Sequence, residues 1–312
     1  MLSRVAENVY WMSRYLERAE NTARLINATT NLLLDLPRSV VVGWESLLNI
    51  MGCAEAFGEH YNVADERNVT RFLIADERNP GSIQSSLNGA RDNARGLRDQ
   101  LQRETWEQIN DLYLYSKRDA GNSLGRRRRY QFMQEIVLRR QAIIGISSSC
   151  MSRNPVYRFI VMGRSLERAD MTTRILDSSA IELLGRHADD HEAYSNLRWV
   201  SVLRSLSAYQ MYRQSVQVRV NGRAVLRYLL QDRAFPRSVE FCLNDLSSCL
   251  RELPNNRKPR RILGRVLREI DEADLHTLAD TGPDAFLDHI QVGFNDIHDA
   301  IAEIYFSVKE AA

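Results

Sequence analysis

The stretch Tyr10–Arg24, YWMSRYLERAENTAR, decides how this chain is read, because the chain writes it twice. From Ile160 to Arg174 the sequence runs IVMGRSLERADMTTR, at a constant offset of 150 residues and without a gap. Between Arg14 and Arg24, seven of eleven positions are identical: Arg14/Arg164, Leu16/Leu166, Glu17/Glu167, Arg18/Arg168, Ala19/Ala169, Thr22/Thr172 and Arg24/Arg174. Glu20/Asp170 keeps its charge. Five of these eight retained positions ionise, whereas a helix pair preserved only for its core would retain its apolar positions.

The first copy sits in a long helix. Ser3 is an N-cap residue type, and neither proline nor glycine follows until Pro37. Met12, Leu16, Ala19, Ala23, Ile26 and Leu33 recur at three- and four-residue steps and form one apolar stripe. Arg14, Glu17, Glu20 and Arg24 fall in a sector about 120° wide, roughly opposite that stripe, at 100° per residue. The helix therefore carries an apolar face and an alternating-sign polar face, and the second is what repeats.

Other blocks recur in the same order. RYLLQDRAFPRSV, Arg227 to Val239, aligns with RFLIADERNPGSI, Arg71 to Ile83, at an offset of 156, matching Arg71/Arg227, Leu73/Leu229, Asp76/Asp232, Pro80/Pro236 and Ser82/Ser238. Phe286, Ile290 and Ile297 track Phe132, Ile136 and Ile143 at an offset of 154. The expectation is a tandem duplication, with a first helical repeat at 1–150 and a second at 151–312. No stretch near residue 150 reads as a flexible linker, so the repeats are expected to merge into one bundle.

Between these blocks the expected helices run through Trp44–Met51, up to about Ala75, from Pro80 to about Arg103, through Trp106–Tyr115, and from about Tyr130 to Ser148, with Gly52 and Gly58 punctuating a loop. No segment alternates with period two between turn signals, and all seven prolines fall at helix starts or loops. The expected fold is all-α: an internally duplicated helical bundle whose two long motif helices are related by a pseudo-two-fold axis.

Composition narrows the function classes. An apolar fraction of 44% and a charged fraction of 26% describe an ordinary globular chain. The net charge of +2 gives no general case for nucleic acid or acidic membranes, and no run approaches the length of a membrane span. The first twenty residues carry Arg4, Glu7, Arg14, Glu17, Arg18 and Glu20, which argues against a signal peptide. Cys53, Cys150, Cys242 and Cys249 form no paired C-x-x-C pattern and read as reduced, mostly buried thiols, so a cytoplasmic setting is expected. Of the 42 basic residues, all but Lys117, Lys258 and Lys309 are arginine. A GC-rich genome produces that bias; bidentate pairing with carboxylates would also use it.

The candidate ligand- or partner-binding residues are the two polar faces: Arg14, Glu17, Arg18, Glu20 and Arg24, with Arg164, Glu167, Arg168, Asp170 and Arg174. Meeting across a helix pair, they admit three readings. They could hold a carboxylate, phosphate or peptide-like ligand, with Glu17 or Glu167 as acid or base in a buried charged pocket. They could form a buried ion-pair network that fixes helix register, which has the larger weight. Or they could be solvated i,i+4 faces, which need no repetition. The run Arg126–Arg129 lacks any nucleic-acid-binding context and reads as a solvated helix start. In HADDHE, His187 to Glu192, two histidines stand four apart, but the order differs from H-E-x-x-H and the first half has no equivalent; an acidic helix start explains it better than a metal site. Cys242 and Cys249, seven apart, and Trp11, Trp44, Trp106 and Trp199 read as core. No nucleotide-binding or nucleophile-elbow motif occurs, so no cofactor or metal is expected and the chain is an unlikely ATPase by itself.

The segments LSRVAENVYWMSRYLERAENTARL, MSRNPVYRFIVMGRSLERADMTTRILD and FPRSVEFCLNDL resemble the bacterial alpha-E proteins, long catalogued as a domain of unknown function, and the resemblance covers nearly the whole chain. It implies an all-helical fold and maps that family's acidic and basic residues onto the ten positions named above. It also implies a partner, because such proteins are typically encoded beside, or fused to, a circularly permuted ATP-grasp protein, often with a transglutaminase-like peptidase nearby. The resulting expectation is an accessory protein in a system that makes or remodels amide or peptide bonds. An enzyme using Glu17 or Glu167, and a purely structural scaffold, stand as alternatives.

Overall fold

The computed structural model describes residues 3–35, 43–184, 191–217 and 219–307. Among them the chain is helical and contains no strand. The first half holds α1 (Ser3–Asp35), α2 (Glu45–Ile50), α3 (Ala54–Gly58), α4 (Glu66–Ile74), α5 (Ile83–Arg95), α6 (Arg103–Asp119) and α7 (Arg126–Cys150). The second half holds α8 (Pro155–Leu184), α9 (His191–Ser205), α10 (Tyr209–Ser215), α11 (Gly222–Gln231), α12 (Val239–Arg251), α13 (Arg257–Asp271), α14 (Leu275–Thr281) and α15 (Asp284–Tyr305). No helix among the described residues is long and apolar enough to cross a membrane.

Local chemistry sets the boundaries. Ser82 and Ser238 occupy equivalent places in the second repeated block, and each caps its helix, the hydroxyls accepting from Ser85 N and Phe241 N at 3.1 Å. Asp76 and Asp232 shape the preceding turns, accepting from Arg78 N at 3.1 Å and Ala234 N at 2.8 Å. Pro155 starts α8, Pro259 lies in the first turn of α13 and Pro283 is the N-cap of α15. Three boundaries differ from expectation. The glycine-punctuated loop contains α3, anchored by the buried ring of Phe57. α5 ends at Arg95, where Gly96 supplies the C-cap, well before Arg103. α7 starts at Arg126, so the arginine run forms its first turn. That run is also not simply solvated: Arg129 is buried and reaches Glu66 at 2.5 Å, and Arg126 reaches the same carboxylate at 2.8 Å.

The two motif helices form the centre. α1 packs against α8, α5, α9, α7 and α15, and α8 packs in turn on α12 and α15. One contiguous apolar cluster runs from Ala6 to Ile301 and takes residues from both halves, including Cys242, Cys249 and Trp199, with Trp11, Trp44 and Trp106 at its edge. Surrounded on several sides, α1 buries Glu17 and Glu20 as completely as Leu16 and Ala19. The polar face opposite the apolar stripe therefore faces a second protein layer instead of solvent.

The crossing of α1 and α8 depends on one small residue. A Cβ placed on Gly163 would lie 2.4 Å from the Tyr10 carbonyl oxygen, a contact with backbone that no rotamer relieves. Beside it, Ser13 Oγ donates to the Ile160 carbonyl at 2.6 Å and ties the helices together. Gly145, on the exposed face of α7, has open space where its Cβ would be. Opposite outcomes are expected for one change at two sites. Gly163→Ala should destabilise by about 1–3 kcal/mol through overpacking, whereas Gly145→Ala should stabilise by about 0.5–1 kcal/mol through helix propensity. Chemical denaturation of both variants tests this.

Candidate functional site

The repeated dipeptides Glu17–Arg18 and Glu167–Arg168 lie on facing turns of α1 and α8, and each arginine pairs with the other helix's glutamate. Arg18 donates from Nε to Glu167 Oε1 at 2.6 Å and from Nη2 to Oε2 at 3.1 Å. Arg168 donates from Nε to Glu17 Oε1 at 2.8 Å and from Nη2 to Oε2 at 3.1 Å. Both are two-pronged pairs, the geometry in which a planar guanidinium outperforms an ammonium.

Around this reciprocal centre the partners diverge. Glu167 takes a second guanidinium, Arg14, at 2.7 Å. Glu17 takes Arg237 Nη1 at 3.1 Å and Arg140 Nη2 at 3.4 Å. Arg237 also donates to Asn21 Oδ1 at 2.9 Å and Glu20 Oε1 at 2.7 Å, joining three residues of α1 from the turn before α12. Arg164, at Arg14's place in the second copy, turns to Asp245 at 3.7 Å. The outer positions close within their own helices: Arg24 Nε donates to Glu20 at 2.8 Å and Arg174 Nε to Asp170 at 2.9 Å. The structure thus brings all ten sequence-derived residues into one region, seven of them in direct cross-helix or intrahelix pairs that involve Glu17, Glu20 or Glu167. It adds Arg140, Arg237, Asn21 and Asp245, which were not among the candidates, although Asn21 lies in the first motif stretch and Arg237 and Asp245 in FPRSVEFCLNDL. Position 81, which aligns with Arg237, is glycine, so the repeat could not reveal it.

Burial fixes the electrostatics. The side chain of Glu17 is 0% exposed and that of Glu167 3%. Burial alone would push both carboxyls up, but the guanidiniums overcome it. Arg168, Arg237 and Arg140 hold Glu17 far below the usual carboxylate range, and Arg14 and Arg18 hold Glu167 at about 2. Both stay ionised, so neither is set to exchange protons near neutrality. On the positive side the balance is less complete. Arg14, Arg18, Arg24, Arg140, Arg164, Arg168, Arg174 and Arg237 face Glu17, Glu20, Glu167, Asp170 and Asp245, an excess of guanidiniums among the described residues. Arg18 and Arg174 keep 24% and 35% of their side chains open to solvent. No group of three metal-ligating side chains occurs among the described residues. The HADDHE segment lies outside the residues whose side chains are described.

Comparison with known proteins agrees with this geometry. The model of the Alpha-E family, "a predicted alpha-helical domain with a conserved ER motif", matches residues 1–306. Three uncharacterized mycobacterial proteins, one from Mycobacterium bovis and two from Mycobacterium tuberculosis, are 26% identical over 325 residues. The match covers 96% of this chain and 36% of each relative, so the chain spans about a third of the length of these curated relatives. No solved structure matches.

Two outcomes are expected. Glu17→Gln strands Arg168, Arg237 and Arg140 in the interior and should destabilise by about 3–5 kcal/mol. Glu167→Gln, whose partners reach solvent, should do less, and urea midpoints rank the two. With the folded pKa of Glu167 depressed from 4.5 to about 2, its contribution is present above pH 4.5 and is lost as the pH falls towards 2. The difference in melting temperature between wild type and Glu167→Gln should therefore narrow between pH 6 and about pH 3.

Proposed function

The chain belongs to the Alpha-E family, and on that premise we propose that it is a cytoplasmic accessory protein in an ATP-grasp-linked system that forms or remodels amide or peptide bonds. Its partner in this reading is a circularly permuted ATP-grasp protein, with a transglutaminase-like peptidase in the same system. The two repeats, 1–150 and 151–312, act as one duplicated bundle about a pseudo-two-fold axis. The Arg/Glu face binds a carboxylate-bearing ligand or partner segment at its solvent-facing rim, around Arg18 and Arg174.

The excess of guanidiniums over carboxylates carries the binding part of this reading. A lattice built only to satisfy itself would balance its charges, because an uncompensated buried cation is expensive. The partner part is supported by length. In its mycobacterial relatives the matching unit is about a third of a longer chain, and a unit joined to another in one protein commonly works beside a separate chain in a second. The duplication is supported by the reciprocal Glu17/Arg168 and Glu167/Arg18 pairs and by the equivalent roles of Ser82 and Ser238 as caps.

The enzyme alternative, with Glu17 or Glu167 as acid or base, has less support, since both carboxylates are held as anions by two or more arginines. Co-expression with a circularly permuted ATP-grasp protein from the same genome is the direct test. Association that survives purification and weakens in Arg18→Ala or Arg174→Ala is the expected result. No association, with or without ATP, sinks the partner reading. Loss of an amide-forming activity in Glu17→Gln at unchanged melting temperature would restore the enzyme.

A further inference from the structure

A second polar feature lies inside the bundle, away from the rim, and stands independently of the accessory role. Where α1, α6, α7 and α8 meet, a small cavity leaves about 10 Å³ for the centre of an occupant the size of water, room for one such occupant. Two arginines, Arg140 and Arg164, line it, and no carboxylate does. The Nε atoms of both and the hydroxyl of Thr105 are buried and make no hydrogen bond to protein. Arg140 is 3% exposed and Thr105 0%. Buried donors without acceptors are rare in folded proteins because each loses its hydration uncompensated.

The rest of the wall offers little relief. Ser13, Ser147 and Ser148 donate their hydroxyls to the carbonyls of Ile160, Ile143 and Gly145. Among the described residues Arg140 pairs with Glu17 at 3.4 Å and Arg164 with Asp245 at 3.7 Å, both longer than the 2.6–2.8 Å Nε pairs at the lattice centre. Burial pulls Arg140 down to about 10, Glu17 and Glu20 offset this only in part, and the like charges of Arg164 and Arg168 work in the same direction as burial.

We infer that this cavity binds one monatomic anion, a halide of chloride type, held by the Nε–H groups of Arg140 and Arg164 and the Thr105 hydroxyl. A water molecule would satisfy those hydrogen bonds but bring no charge to a space lined by two guanidiniums whose acids, Glu17 and Asp245, stand outside it at 3.4 Å and 3.7 Å. An anion does both, and the cavity is too small for a carboxylate or phosphate. The site therefore differs in ligand and place from the rim proposed for a partner. Halide binding ties α7 to α8 across a cavity whose wall carries no carboxylate.

The full-length wild-type chain is the material for the test. Its melting temperature is compared in chloride, bromide and gluconate at equal ionic strength, and crystals grown in bromide are measured at the bromine edge. Expected are a saturable rise of about 2–4 °C with either halide, an anomalous peak between Arg140 Nε and Arg164 Nε, and a smaller halide response in Thr105→Val. Equal melting temperatures in chloride and gluconate, or a water refined at that position in bromide crystals, would overturn the inference. Neither result bears on association with an ATP-grasp protein.

Discussion

Everything in this bundle rests on placing two glutamates where water does not reach. An isolated carboxylate in such a place would protonate or force the helices apart. Here each copy of the motif supplies the acid that the other copy's arginine needs, so α1 and α8 are stable only as a pair. The short cross-helix distances follow from that demand, as does the small residue at Gly163, which lets the backbones approach closely enough for guanidiniums to span the gap.

Much of this was legible in the sequence, for physical reasons. α1 was readable because more than thirty residues lack a helix breaker, and capping residues and prolines marked many other starts. The repeat exposed the lattice, since charged positions retained over an offset of 150 residues need a reason beyond the core. The buried ion-pair network, weighted above a solvated face, is what the structure holds, although periodicity alone does not say what covers that face. A polar stripe opposite an apolar one ordinarily meets water, and the covering layer of α12 and the turn before it comes from far along the chain. Arg237 and Arg140 were invisible for the same reason: they reach Glu17 from 220 and 123 residues away, and no local pattern encodes such a contact. α3 was missed because Gly52 lies just before it and Gly58 ends it, and a helix only five residues long is held by tertiary packing of Phe57.

The lattice is reciprocal at its centre and uneven around it. Glu17 gathers three arginines and Glu167 two, while Arg14 and Arg164, identical residues at equivalent places, choose different acids. Residues retained in both copies maintain the helix pairing. The residues that differ set where positive charge is left over, at the rim and in the cavity beside Arg140. The residues that repeat in the sequence supply the central pairs, and the side chains that differ around them supply the uneven surroundings.

The two-pronged pairs also have a mechanical consequence. Sliding α8 along α1 by a single residue shifts it about 1.5 Å and turns it about 100°, which would break both pairs together with the Gly163–Tyr10 fit. No intermediate register keeps part of the lattice intact. Any displacement that keeps these contacts therefore carries the two helices together.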